Sequence, residues 1–385
     1  MKKLSVLTFT LILLLLAGCQ KQQTASRVSQ DTITQIDSLF VEYDQLTSPG
    51  YAIGIAKDGK MLYKSGYGAA NLDYNIPIET HSAFSLASVS KQFTAACIAL
   101  LIIDGKITLE TDAAEFVPEL RKYSDTIKVK HLIYNTSGLT DYIRLKRKGG
   151  QSWVTLNYFE IDESIATSLA EEKLQFKPGS RWDYCNVNFM LLTRIVEKVS
   201  GRSFSDFAAA RLFKPLGMQN TFINDDITTV IPNRVTPYNL RNDLYLNAYA
   251  EQGFNFKKEG NYIQHNRNSP HYGGSGVVST IDDLLKWTAN MTTQQFGGQD
   301  FYNQMHQTMK FPHGRNNQAF GLYFDQYKGR KTVAWEGADY GISTQLLRFP
   351  EQNTAIIVLS NLGSGNAPEK ANRIADILIK NGILE

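Results

Sequence analysis

Strand-like runs gather near the two ends of this 385-residue chain and leave its middle to helical periodicity, a division that limits the fold more than any other feature. Near the first end, Tyr51–Ala56 and Met61–Gly66 flank Lys57-Asp58-Gly59-Lys60, and an Asp-Gly pair between apolar runs is a strong hairpin signal. Near the second end, Ala319–Gln326, Thr332–Glu336, Ser343–Phe349 and Thr354–Ser360 read as strands separated by polar or Gly/Pro turns. A helix capped by Asp31 precedes the first group, with Ile33, Ile36, Leu39 and Phe40 as its apolar stripe. Another, over Ala367–Lys380, follows the second group, with Ala371, Ile374, Ile377 and Leu378 on one face. The simplest architecture is an antiparallel β-sheet built from both chain ends and flanked by helices, an α/β protein of the α+β type. A mostly helical insertion then covers roughly 109–285.

The first residues are an export signal rather than part of the fold. Lys2 and Lys3 precede an apolar run, Leu4–Leu16, that is shorter than the ~20 residues a spanning helix needs. The run ends in Leu16-Ala17-Gly18-Cys19, which resembles the bacterial lipoprotein box, so residues 1–18 are expected to be removed and Cys19 lipidated. The protein would then be exported and held at the cell envelope by its lipid. The polar stretch 19–30 reads as a tether to a folded body over 31–385.

The 40 basic and 37 acidic residues nearly cancel, which removes the electrostatic case for nucleic acid. Only Cys97 and Cys185 remain after Cys19, so no disulfide framework is expected. The six His residues include no close ligand pair such as H-x-x-x-H, and no metal or other cofactor is expected. The partner left is a small-molecule or short-peptide substrate, with cell-wall fragments among the candidates.

Ser88-Val89-Ser90-Lys91 matches S-x-x-K, a pattern so short that a chain of this length carries about one copy by chance. Its setting raises it. It opens an apolar stretch from Phe93 to Leu101 that reads as a buried helix, so Ser88 would stand at the helix start with Lys91 one turn on, on the same face. There the helix dipole and burial both disfavour the ammonium, and a neutral Lys91 could take the Ser88 proton. A capping Ser followed by a surface Lys fits the same four residues. Y-x-N occurs twice, at Tyr184-Cys185-Asn186 and Tyr245-Leu246-Asn247. The first follows a Pro-Gly turn and precedes a helical run, Phe189–Val199, whereas the second lies in a polar, irregular stretch.

With these residues the chain resembles the class C β-lactamases and penicillin-binding-protein-like serine hydrolases, including the related esterases. The landmarks, in order, are Phe84–Lys91, Ile127–Ile133 leading to Thr136-Ser137-Gly138-Leu139, Pro178-Gly179, Tyr184-Cys185-Asn186, Leu216-Gly217-Met218 and Gly273–Thr280. The resemblance implies a β-lactamase/transpeptidase-like fold in which Ser88 is acylated and Lys91 and Tyr184 share the proton transfers. Asn186 would position the substrate amide or Lys91, and the backbone N–H groups of Ser88 and Ala338 would form the oxyanion hole. His131 and Ser137 read as landmarks rather than chemistry, and the glycines at 273, 274 and 276 as permission for a tight backbone.

One departure matters. Relatives carry K-T-G or H-x-G on the strand lining the site, but here the matching piece is Trp335-Glu336-Gly337. Some esterases of the group have W-x-G, so the departure points away from β-lactams more than away from hydrolysis. Lys331-Thr332 lacks the following glycine and reads as a strand-end charge. The expected activity is hydrolysis of a small ester, amide, D-amino-acid peptide or β-lactam, esters favoured. A penicillin-binding sensor or non-catalytic binding protein on the same fold is the competing reading. A conventional α/β-hydrolase would need G-x-S-x-G, which the chain lacks.

Overall fold

The structure, a computed structural model, describes residues 28–149, 160–242, 247, 250, 259–265, 272–314 and 316–385. The signal segment, Cys19 and Tyr245 lie outside the described residues.

The two chain ends meet in one antiparallel sheet. β1 (Tyr51–Lys57) and β2 (Lys60–Tyr67) come from the N-terminal end. The three-residue or shorter strands β3 (Phe84–Ser85), β4 (Phe222–Ile223) and β5 (Val277–Ser279) form a separate small sheet, with β5 central. β6 (Tyr323–Tyr327), β7 (Arg330–Asp339), β8 (Ile342–Phe349) and β9 (Thr354–Ser360) complete the main sheet. Its order is β6-β7-β8-β9-β1-β2, and β1 pairs with β9 from Tyr51↔Ser360 to Lys57↔Thr354. The β1–β2 hairpin closes through Asp58 and Gly59, at φ 52° and 71°. Two left-handed residues give the loop the twist of the strands they join.

Helices bury both faces of this sheet, which explains why β9 reads as a continuous apolar run rather than an alternating one. On one face Ile53, Ile55, Ile356 and Val358 pack against α1 (Gln30–Asp37) and α9 (Ala367–Lys380) through Ile36, Ile374 and Leu378. On the other, Ala52, Ala56, Ile357 and Leu359 join a larger core with α2 (Lys91–Ile103), α6 (Asn186–Ser200) and α7 (Ile281–Thr293). Two shorter helices complete the wall around the site, α3 (Val129–Ile133) and α4 (Tyr142–Lys148); α5 (Ile161–Leu169) packs behind α4, and α8 (Gly298–His306) lies against α2. No helix among the described residues is long and apolar enough to cross a membrane.

Two local expectations are corrected. The α1 cap is Ser29, whose Oγ accepts from the Thr32 N–H at 3.2 Å, while Asp31 lies inside the first turn and accepts from Gln35. An acidic residue there still favours the positive end of the dipole. β6 begins at Tyr323 rather than Ala319, because the chain first runs across the start of α2: a Cβ at Gly321 would stand 2.7 Å from both Lys91 C and Gln92 N. β6 pairs with β7 only from Arg330 to Ala334. The remaining segment of β7, Trp335–Asp339, is therefore an open strand edge, and the cleft described next forms along it.

Candidate active site

Ser88 lies in a 3-10 turn, Ala87–Ser90, and Lys91 is the first residue of α2, so the two residues bracket the helix start. Ala87 adopts φ 46°, a left-handed conformation that costs a non-glycine residue about 1 kcal/mol. Three contacts hold this turn in place. The Leu86 N–H donates to Val277 O at 2.8 Å, Ser90 Oγ accepts from the Val277 N–H at 3.0 Å, and Thr344 Oγ1 donates to Leu86 O at 2.9 Å. β7 presses against the turn at Gly337, where a Cβ would meet Leu86 O at 2.4 Å, so only glycine fits.

Lys91 is fully buried, and its Nζ faces three acceptors: Gly274 O at 2.6 Å, Asn186 Oδ1 at 2.9 Å and Ser88 Oγ at 3.2 Å. An ammonium can donate to all three. A neutral amine has two N–H groups for the two carbonyl oxygens, which leaves its lone pair for the Ser88 proton. Burial brings the Lys91 pKa down to about 7, against the nearby Asp141, Cys185 and Asp339. Burial thus favours the neutral amine. The Tyr184 hydroxyl lies 2.7 Å from Ser88 Oγ, and Lys91 Nζ stands 4.8 Å from the centre of its ring. Burial, first among its influences, raises the Tyr184 pKa, so the phenol keeps its proton at neutral pH.

The Tyr184 loop is pinned from a segment that the sequence marked without explaining. Asn135 O accepts from the Asp183 N–H at 2.9 Å, and Asn135 Oδ1 accepts from the Cys185 N–H at 3.3 Å and from Asn188 Nδ2 at 3.1 Å. Asp141 Oδ2 accepts from the Asn186 N–H at 2.5 Å. Ser137 donates to Asn188 Oδ1, and His131 Nδ1 accepts from the Lys128 N–H at 3.1 Å. Burial lowers the His131 pKa to about 4, so it is a neutral structural group. Ser137 within the Thr136–Leu139 landmark, and Asn135 and Asp141 on either side of it, therefore hold the Y-x-N loop and the start of α6.

Ser88, Tyr184 and Ala338 stand where two hollows meet. The larger, about 600 Å³, is walled by Trp182, Tyr184, Tyr323 and Trp335, and among the described residues Glu336 is the charged one lining it. The smaller, about 230 Å³, is lined by Tyr142, Arg147, Asn186 and Asp339. Trp335 is 2% exposed and stacks on Tyr323, ring centres 4.3 Å apart. It therefore forms a flat wall where relatives are expected to carry a cation. Lys331 lies at the far end of β7 in an exposed pair with Glu351, as a strand-end charge should.

The structure thus gathers Ser88, Lys91, Tyr184, Asn186, Trp335, Gly337 and Ala338 around one cleft. Asp141, Asn135 and the Gly274 carbonyl were not anticipated in these roles. A backbone carbonyl leaves no side-chain signal, while Asn135 and Asp141 flank the Thr136–Leu139 landmark and were within reach of a reading that asked what it holds. Among the described residues no group of three or more His, Cys, Asp or Glu is arranged to hold a metal.

The Beta-lactamase family model matches residues 36–380. The chain is 27% identical over 314 residues to a D-aminopeptidase of Gluconobacter oxydans (strain 621H), covering 81% of this chain and 56% of that protein. It is 28% identical over 331 residues to penicillin-binding protein 4* of Bacillus subtilis (strain 168), covering 82% and 69%. This chain thus spans little more than half the length of the first relative. Among solved structures, the octameric penicillin-binding protein homologue from Pyrococcus abyssi superposes with a TM-score of 0.74 at 24% identity, covering 91% of this chain and 77% of that one. That likeness shows the fold.

Proposed function

The chain belongs to the Beta-lactamase family, and from that premise we propose that it is a serine hydrolase working through an acyl-enzyme on Ser88. The observation that carries this reading is the position of Ser88 Oγ between Lys91 Nζ at 3.2 Å and the Tyr184 hydroxyl at 2.7 Å. Neutral Lys91 takes the Ser88 proton as Oγ attacks the substrate carbonyl carbon. The carbonyl oxygen, now negative, turns to the backbone N–H groups of Ser88 and Ala338. Tyr184 hands a proton to the departing alcohol or amine and is reprotonated by the Lys91 ammonium, and water enters by the reverse transfers to free the acid. A fluorophosphonate or fluorescent penicillin should label the native protein and not Ser88→Ala. The penicilloyl ester, unlike the stable phosphonate, should be lost over time by hydrolysis. A permanent penicilloyl adduct, with no turnover of any ester, amide or lactam, would instead identify a sensor.

Within that class, small esters are the favoured substrates. The support is the aromatic wall of Trp182, Tyr323 and Trp335, with no cation among the described residues that line the larger hollow. A charge-assisted hydrogen bond to a substrate carboxylate contributes ~1.5–3 kcal/mol, or roughly 10- to 150-fold in binding. Trp335 offers an indole N–H and an apolar face instead. Short-chain aryl esters should be cleaved with higher kcat/KM than penicillins or D-amino-acid peptides, the classes that the relatives' names suggest. Trp335→His should narrow the gap. A native preference for the lactam, unmoved by that change, would remove Trp335 as the determinant.

The supply of substrate follows from location. We infer that the protein is exported and lipidated at Cys19, because the short apolar run stops at Leu-Ala-Gly-Cys. Cys19→Ser should move the protein from the membrane fraction to the soluble one, and intact-mass measurement of an unmodified Cys19 would overturn the anchor.

A further inference from the structure

We propose that Asp141 is a positioning residue that ties Asn186 into place and sets the pH at which Lys91 gives up its proton. The inference rests on the reading of Lys91 as the base. Asp141 is 6% exposed, and its two carboxylate oxygens serve two helices. Oδ1 accepts from the Ile143 N–H at 2.9 Å and caps α4; Oδ2 accepts from the N–H of Asn186, the first residue of α6, at 2.5 Å. The Asn186 side chain in turn accepts from Lys91 Nζ at 2.9 Å. One carboxylate thus fixes the residue that orients the base.

The charges around Lys91 support the second half of the claim. Burial favours the neutral amine, and Asp141 is the strongest opposing influence, ahead of Cys185 and Asp339. Burial pushes the Cys185 thiol up, which keeps it uncharged near neutral pH. The Tyr184 and Phe189 rings face Nζ at 4.8 and 5.5 Å. The Asp141 carboxyl is itself raised by burial, an effect countered by the N–H groups of Asn186 and Ile143 and by Lys91. Asp141 and Lys91 share Asn186 as a partner, and an opposite charge near a buried lysine shifts it upward by about a unit or more.

A helix cap alone would behave differently. Asp141→Asn retains an acceptor for Ile143 but removes the charge, so as a mere cap the change would cost little stability and leave Lys91 untouched. On the proposal, Lys91 in the full chain, followed by NMR of isotope-labelled lysine, should lose its proton about one pH unit lower in Asp141→Asn. The acidic limb of kcat/KM should move down by the same amount. Asp141→Glu should leave the midpoint near its native position, and Asp141→Ser, which can still cap α4, should repeat the Asn result if the Asn variant does not fold. An unmoved Lys91 midpoint in the charge-free variants would overturn the proposal. Because the titration is read without turnover, it separates this claim from the role of Lys91 as base, which fails independently if Lys91→Ala stays active.

Discussion

Ser88→Ala and Lys91→Ala are each expected to lower kcat/KM by about 10³-fold or more, and the double change should cost little beyond either one, because nucleophile and base act as a unit. Lys91→Arg should be nearly as inactive as Lys91→Ala. Arg keeps the positive charge but cannot become a neutral base, so this variant separates proton acceptance from charge. The same logic fixes a pH profile. The working form of Lys91 is the neutral amine and its pKa lies at about 7, so activity should rise with pH through that value and fall on the acid side. Near-additive losses from the two alanine changes, or an active Lys91→Arg, would return Lys91 to the role of a buried structural charge.

The parts that were legible in the sequence are those written in local chemistry. Asp58-Gly59 marked a hairpin because both residues accept left-handed dihedrals, and the apolar run Thr354–Ser360 marked a doubly covered strand. Ser88 and Lys91 were legible only together with the buried helix that follows them. Distance along the chain hid the rest. The Trp335–Tyr323 stack depends on where β6 begins, and that depends on Gly321 crossing α2, a contact between segments more than 200 residues apart. The left-handed Ala87 carries no glycine to announce it; only the contacts of Leu86 and Ser90 with β5 and β8 show why the strain is tolerated. The Gly274 carbonyl is common to every residue type and gives a sequence nothing to read. Ser29 displaced Asp31 as cap because both are good caps two residues apart, a distinction below the resolution of pattern.

Tyr184→Phe should reduce turnover by ~10²- to 10³-fold, the range in which a positioned proton donor contributes, while leaving the fold in place. The ring would still pack against Trp182, whose centre is 6.5 Å away, and still face Lys91 Nζ; the hydroxyl on Ser88 Oγ is all that is lost. The size of the loss should depend on the leaving group. An alkyl alcohol or an amine leaves as a strong base and needs a proton as its bond breaks, so alkyl esters and amides should show the full effect. An aryl ester releases a phenolate stable enough to leave unprotonated, and its acylation should be impaired far less. Phe substitution at Tyr245, the other Y-x-N tyrosine, should spare all three substrates. An equal loss across leaving groups would mean that Tyr184 only orients Ser88. A loss confined to Tyr245→Phe would transfer the proton-donor role to the second motif.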